Sequence, residues 1–276
     1  MKRKKNSIIP LYQRFIHYTR LGYDSLDRES RSEIKAFILR KRNEDGFFSG
    51  RDNRSDPYYS LFGNWLAEAV GIPTGNNSRA TGDPDKMGWS RADELAVFFL
   101  LIMQKKNDSQ EYSVLKLLRL TFGGKSQTSL FYRFFLFILI SEAWDKRYLY
   151  YYPVQMILTF YSPSAGSPCS VHAATLIARH EVSLGVLQQQ KMLFSFFEKD
   201  KGFKAFQHLC DADLLSTATA LFALKTAGAD MRIIAPSCLD FIENNYASGA
   251  FLAGNGDQSR DLEYTFYGLL ALGTLA

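Results

Sequence analysis

The sequence predicts an all-α fold, an α/α toroid in which about six pairs of inner and outer helices close into one domain. Two observations lead to this prediction. Helices that are apolar on nearly every side alternate along the chain with amphipathic helices, and turns of glycine and an aromatic residue recur at Gly46, Gly202 and Gly249. A helix that is apolar all round must be buried on all sides. Repeated two-helix units are typical of helical arrays.

The first predicted elements are an N-terminal helix near residues 11–21, an amphipathic helix at residues 32–42, and an apolar helix at residues 61–70 that ends at Gly71. We assign residues 32–42 to the outer ring and 61–70 to the inner ring. Residues 72–89 are rich in glycine, proline, asparagine and aspartate, so they are predicted as an irregular loop where an outer helix is due. The helix at 11–21 is expected to fill that outer position.

The rest of the chain fits the same plan. Inner helices are predicted at residues 91–104, 126–142, 170–180, 214–227 and 266–272, and outer helices at residues 111–121, 148–161, 185–198 and 231–244. Gly202 and Gly249 are 47 residues apart, and Gly46 precedes Gly202 by 156 residues, close to three such units. The spacing therefore indicates six inner helices.

Composition is compatible with one large domain over residues 1–276. Hydrophobic residues make up 46% of the chain and charged residues 22%, which allows a sizeable core. Aromatic residues reach 14%, with 22 Phe and 15 Tyr. We expect part of this excess to line a cavity.

The charge pattern limits the partners that are expected. The net charge is +5, and residues 1–7 are predicted as a disordered basic tip, in which Lys2, Arg3, Lys4 and Lys5 would make weak contact with an anionic membrane surface. Other basic residues are interspersed with acidic ones, which argues against nucleic acid as a partner. The longest apolar stretch contains Arg133 and is too short to span a bilayer, so no transmembrane segment is expected. Three cysteines without a CxxC pair suit a reducing, cytoplasmic location.

The last repeat carries a resemblance to a known family. It reads Asp261-Leu-Glu-Tyr264-Thr-Phe-Tyr-Gly-Leu-Leu-Ala-Leu-Gly273 after a glycine–aromatic turn, and it resembles the prenyltransferase and squalene-cyclase repeat. The resemblance is good over residues 30–71 and 185–276. It implies a toroid of the protein-prenyltransferase β-subunit or terpenoid-cyclase kind, an enzyme that holds an isoprenoid chain in an aromatic-lined cavity. The implied partner is a prenyl diphosphate or another apolar small molecule, and the sequence leaves open whether an α-type subunit or another protein also binds.

The family's catalytic motifs are altered in this chain. In the transferases, zinc is held by Asp-x-Cys and a His, and here Asp213 matches the Asp whereas Leu215 and Tyr264 stand at the other two positions. Zinc is therefore not expected as a cofactor. In the cyclases, Asp-x-Asp-Asp-Thr-Ala supplies the acid, and here Asp211-Ala-Asp213 is followed, at a different spacing, by Thr217. Paired carboxylates can keep one proton near neutrality, so Asp211 and Asp213 are predicted as acid residues. The alternative is that they serve as an N-cap and a first-turn acid of the following helix.

Further site residues are predicted at the same rim. Asp261 and Glu263 begin the last inner helix, either as catalytic acids, with Asp261 the candidate, or as helix caps. His208 is a candidate acid or base. Acids at most inner-helix starts could hold Mg²⁺ with a diphosphate, although repeated capping explains them as simply. The aromatic residues predicted to bind the substrate are Tyr59, Trp89, Phe131, Phe135, Tyr264 and Tyr267.

Two other functions fit the same sequence. A catalytically silent toroid would bind a lipid or a partner protein, as the altered zinc positions suggest. A carbohydrate-active α/α toroid would use paired carboxylates as acid and base.

Overall fold

The described part of the fold is all-α, as predicted. A computed structural model describes residues 9–51, 54–73, 91–103, 113–123 and 130–276. The helices in these segments are α1 (Leu11–Ser25), α2 (Arg28–Arg40), α3 (Pro57–Val70), α4 (Arg91–Met103), α5 (Val114–Phe122), α6 (Leu130–Ala143), α7 (Tyr151–Phe160), α8 (Cys169–Glu181), α9 (Leu187–Phe194), α10 (Leu214–Thr226), α11 (Ala235–Asn244) and α12 (Leu262–Leu275). The strands are β1 (Phe197–Glu198), β2 (Gly202–Phe203), β3 (Tyr246–Ala247) and β4 (Ala250–Phe251).

The helices agree with the sequence predictions in position and differ in their ends. The predicted helix at 185–198 stops early because Phe197 and Glu198 pair with β2 in a short hairpin. The last helix starts at Leu262, directly after its cap Asp261, and not at residue 266. Apart from its first two residues, the predicted loop at 72–89 lies outside the described residues, as does the basic tip at 1–7.

Six helices at the centre of the fold contact one another in a series. α6 packs on α4, α4 on α3, α3 on α12, α12 on α10 and α10 on α8. The ends of this series, α6 and α8, face each other across a cavity to which Phe135 and Leu136 contribute from α6, and Ala174 and Ile177 from α8. These central helices are the ones predicted as inner.

The helices predicted as outer pack on the central series. α2 contacts α3, α5 contacts α4 and α6, α7 and α9 contact α8, and α11 contacts α12. In α11 the buried residues are Cys238 and Ile242, whereas α10 buries nine of its 13 residues. No helix in the described segments has both the length and the apolar character that crossing a bilayer requires.

Helix α1 does not take the outer position that the sequence predicted for it. It packs on α12, α3 and α6. Its hydrogen bonds to α3 and α6 lie near the carboxyl ends of those helices. Arg20 donates to the carbonyl of Ala69 near the end of α3 (3.2 Å), and the amide of Leu11 donates to Glu142 near the end of α6 (2.6 Å). A basic side chain is stabilised by the negative end of a helix dipole, which favours this crossing.

The crossing of α1 and α12 depends on two glycines. A Cβ atom added at Gly22 would overlap the carbonyl of Leu269, and one added at Gly273 would overlap the carbonyl of Tyr18. The two backbones therefore meet without side chains between them. This close approach accounts for the extensive contact between the two helices.

The three glycine–aromatic turns are joined to the following helices in the same way. In each repeat the amide of the aromatic residue donates to a hydroxyl in the first helical turn, and an aspartate four residues before that hydroxyl caps the helix. The bonds are Phe48 to Ser60 (2.8 Å), Phe203 to Thr217 (3.0 Å) and Phe251 to Thr265 (3.4 Å), with caps Asp56, Asp213 and Asp261. The three sequence repeats therefore share the same hydrogen bond and the same helix cap.

Candidate functional site

A cavity of about 340 Å³ lies among α3, α6, α8, α10 and α12. Its volume is in the range of small-molecule sites. Its wall is mainly apolar and rich in aromatic rings, and includes Phe62, Trp65, Phe135, Leu215, Phe222 and Phe266. An apolar wall of this kind favours an apolar ligand, because burial of apolar surface is the main source of affinity there.

Phe15 of α1 closes one side of the cavity. Its ring centre lies 4.6 Å from that of Phe222, 5.9 Å from that of Trp65 and 6.1 Å from that of Phe266. The contact with Phe266 is edge-to-face, a favourable geometry for aromatic pairs, and the rings of Phe222 and Trp65 are tilted against that of Phe15. Helix α1 therefore supplies part of the cavity wall.

Glu263 is the carboxylic acid in the cavity wall. The hydroxyl of Tyr58, another wall residue, donates to its Oε1 at 2.5 Å. Burial raises the pKa of the Glu263 carboxyl to about 7; the Tyr58 hydrogen bond opposes this rise and the charge of Asp261 adds to it. A carboxyl group that titrates near neutrality suits proton transfer, and in its neutral form it can donate a hydrogen bond to a ligand.

The carboxylate of Asp261, two residues earlier, is occupied by structural contacts. It is 1% exposed, accepts the amide of Tyr264 at 2.8 Å as helix cap, and forms an ion pair with Arg51 at 2.9 Å. Arg51 also pairs with Asp257 at 3.1 Å. The carboxylate of Asp261 thus joins the turn before α3 to the start of α12.

Tyr59 lies beside this ion pair. Burial, with the nearby charges of Asp261 and Glu263, raises the pKa of its hydroxyl to about 12. Tyr59 therefore stays protonated near neutral pH. It is not part of the cavity wall and is not suited to act as a base.

The predicted acid pair Asp211 and Asp213 is split between two environments. Asp211 is exposed, with 78% of its side chain accessible, and stands 4.0 Å from Lys201. Asp213 caps α10 by accepting the amide of Ser216 at 2.7 Å. Its other oxygen is buried, with no partner within hydrogen-bond distance among the described residues. Burial raises the pKa of Asp213, whereas Asp211 faces solvent, so the two carboxylates do not share one pocket.

His208 lies in the exposed turn before Asp211. Its ring contacts that of Phe206 at 5.5 Å between centres, and its side chain is exposed. It is not part of the cavity wall. The predicted role of His208 as acid or base therefore does not involve the wall of this cavity.

Two of the predicted substrate-binding residues, Phe135 and Tyr267, lie in the cavity wall. Tyr267 packs on Phe62 with ring centres 5.7 Å apart, and burial raises the pKa of its hydroxyl. Tyr264 is half-buried outside the wall, and burial raises its pKa to about 12. Trp89 and the side chain of Phe131 lie outside the described residues.

The described residues contain no group of three or more His, Cys, Asp and Glu side chains that could hold a metal ion. Leu215, at one family ligand position, lies in the cavity wall, and Tyr264 occupies the other. The residues at these two positions do not fit the zinc of the transferases, because neither leucine nor a protonated tyrosine is a usual zinc ligand.

Sequence reasoning did not identify two residues of this site, Tyr58 and Arg51, and it named Asp261 instead of Glu263 as the candidate acid of that pair. A signal for Glu263 was present: Asp261 and Glu263 are two residues apart, so a helix that begins after Asp261 cannot use both acids as its N-cap. Arg51 and Tyr58 come from the opposite end of the sequence, and no local pattern links them to α12.

Comparison with known proteins does not assign this chain. No family model matches it, and neither a curated protein nor a solved structure does.

Proposed function

We propose that this chain is an α/α toroid that binds a prenyl or other long apolar molecule in its lumen, and that it acts on that molecule as an enzyme of the prenyltransferase or terpenoid-cyclase kind. The observation that carries the proposal is the aromatic cavity whose wall, among the described residues, contains one carboxyl group, that of Glu263. The ion pair between Arg51 and Asp261 supports the ring, because it joins the first repeat to the last.

The chemistry of the wall supports an apolar ligand with one polar end. Phe62, Trp65 and Phe266 offer ring faces and edges to a hydrocarbon chain. Glu263 and Tyr58 offer a hydrogen bond and a proton at one place. In this proposal the polar end of the ligand contacts Glu263, which gives or takes a proton during the reaction.

The test uses the purified protein. Mass spectrometry of extracted ligand should find an isoprenoid or another long-chain molecule. Incubation with farnesyl or geranylgeranyl diphosphate, with and without Mg²⁺, should give a new product. Glu263→Gln should abolish turnover and retain binding, whereas the exposed control Glu243→Gln on α11 should retain both. Extraction of a sugar, or the absence of any binding to apolar chains, would contradict the proposal.

A second candidate function is binding without catalysis. It is favoured by Leu215 and Tyr264, which stand where the transferases carry zinc ligands. This second function would be established if the wild type binds apolar chains without turning them over and Glu263→Gln binds them equally well.

A further inference from the structure

A second cavity adjoins the first and is not needed to explain the site described above. Its volume is about 380 Å³, and it lies between α5, α6, α7 and α8. Residues that line it and not the first cavity include Phe134, Ile138, Val154, Leu158 and Ala178. Nearly all of this wall is hydrocarbon or aromatic.

The polar groups at the edge of the second cavity already have partners. Tyr150 donates to Glu142 at 2.6 Å, and Glu181 pairs with Arg14 and with Arg147, at 3.1 Å for the latter. Because these groups are satisfied within the protein, the cavity offers few free donors or acceptors. A ligand with an apolar surface fits such a site.

The two cavities share a wall. Phe135, Ala174 and Ile177 line both of them. Phe135 is half-buried, and its ring lies 6.0 Å from that of Phe15. Phe135 therefore stands between the two cavities, where reorientation of its side chain would join them.

The far end of the second cavity reaches the surface. Phe122 of α5, Ile157 of α7 and Tyr161 after α7 all line it, and they are 52%, 49% and 46% exposed. An apolar chain that extends from the first cavity past Phe135 would therefore continue between α5 and α7.

We propose that the second cavity binds the distal part of the same apolar chain whose polar end contacts Glu263, with Phe135 as the partition between the two subsites. This inference rests on the proposed function and adds a prediction of the chain length of the ligand. A water molecule fills about 30 Å³ of liquid, and a methylene group is of similar size, so each cavity holds roughly a dozen chain carbons. Longer chains would need both cavities.

The experiment compares binding of geraniol and of the longer geranylgeraniol, measured by quenching of tryptophan fluorescence. The wild type should bind geranylgeraniol at least about tenfold more tightly, because each additional buried methylene contributes. Ala178→Phe fills the second cavity alone, so it should remove this preference and change geraniol binding less than about twofold. Its matched control on the same helix, Ala173→Phe, fills the first cavity and should weaken both ligands.

The outcomes separate this inference from the proposed function. If neither alcohol binds the wild type, both fail. If both bind equally, or if Ala178→Phe weakens both by the same factor, the second subsite is wrong and the first cavity can still be the ligand site. Thermal melts check folding, and Ala178→Leu provides a smaller change if the Phe variant does not fold.

Discussion

Glu263 and Asp261 stand two residues apart at the start of α12, and their surroundings differ. Asp261 accepts a helix amide and faces the guanidinium of Arg51, both of which stabilise its charge. Glu263 faces the apolar cavity and has the neutral hydroxyl of Tyr58 as its donor. Because burial disfavours the charged form, the acid in the cavity wall holds its proton nearly to neutral pH.

This difference predicts a pH dependence of stability. The pKa of Glu263 rises on folding from 4.5 to about 7, so its contribution is greatest below about pH 4.5 and is lost as pH rises through 7. Glu263→Gln removes this titration. Between about pH 4.5 and pH 8 the unfolding free energy of the variant should therefore rise relative to wild type, by at most about 3 kcal/mol.

Denaturant melts across this pH range measure the difference between the two proteins. Glu243→Gln, which changes an exposed carboxylate on α11, is the control and should follow the wild-type curve. Parallel curves for wild type and Glu263→Gln would contradict the buried, protonated carboxyl.

The sequence predicted which aspartates begin helices, but not which acid faces the cavity. Asp213 and Asp261 precede apolar helices, and an aspartate in that position caps by local geometry alone. Asp211 is two residues before such a cap, and its direction depends on the turn after β2, which local rules do not determine. The role of Glu263 depends on Tyr58, which lies 205 residues away.

At the scale of the element, removing the hydrogen bond between a turn amide and a helix hydroxyl tests whether this bond stabilises the repeat. Thr217→Val keeps the shape of the side chain and removes the acceptor of the Phe203 amide. A buried amide without a partner costs about 1–3 kcal/mol, so the variant should be destabilised by that amount.

The control is Thr219→Val on the same helix. The hydroxyl of Thr219 donates to the carbonyl of Leu215. Without that hydroxyl the carbonyl of Leu215 keeps its backbone hydrogen bond within the helix. Chemical denaturation should show a small change for this control. An equal loss in both variants would contradict a specific role for the bond to Phe203.

The pairing of helices was less predictable than their positions. The sequence predicted a helix near residues 11–21, but the pattern of a single helix does not identify its packing partner. Gly22 and Gly273 decide the partner of α1, and they are 251 residues apart. The sequence shows each glycine and gives no sign that they meet.

Gly273→Ala should disrupt this crossing. The added methyl group would overlap the carbonyl oxygen of Tyr18, which belongs to the backbone and cannot turn away. Overpacking costs about 1–3 kcal/mol in well-packed cores, and more where backbones must separate. The thermal midpoint should fall, and amide exchange in α1 should become faster.

Gly185→Ala is the matched control. No heavy atom lies within 4 Å of a Cβ atom added at Gly185, so the variant should keep the wild-type midpoint. A normal midpoint and normal exchange for Gly273→Ala would contradict the close contact of α1 and α12.

At the scale of the molecule, the first and last repeats are held together by charge. Arg51 precedes α3, and Asp261 caps α12. Arg51→Ala leaves the carboxylate of Asp261 buried without its cation, so it should cost about 1.5–3 kcal/mol, typical of a hydrogen bond to a charged group. Arg232→Ala breaks an exposed pair with Asp230 and should cause no measurable loss.

Both variants are compared by denaturant melts and by proteolysis. Arg51→Ala should also speed cleavage at residues 46–51, because this ion pair holds that segment to α12. Equal stability of the Arg51 and Arg232 variants would show that the fold does not depend on this junction.

The contact between α1 and α12 has a consequence for how the protein is made. α1 lies far before α12 in the sequence, and α12 is its main packing partner among the described helices. Phe15 packs on Phe266 of α12, so its cover is incomplete until α12 has been made. Contacts between such distant segments form slowly, since a long loop must close first. We therefore expect α1 to dock only after α12 has been made, and the cavity to gain its Phe15 side only then.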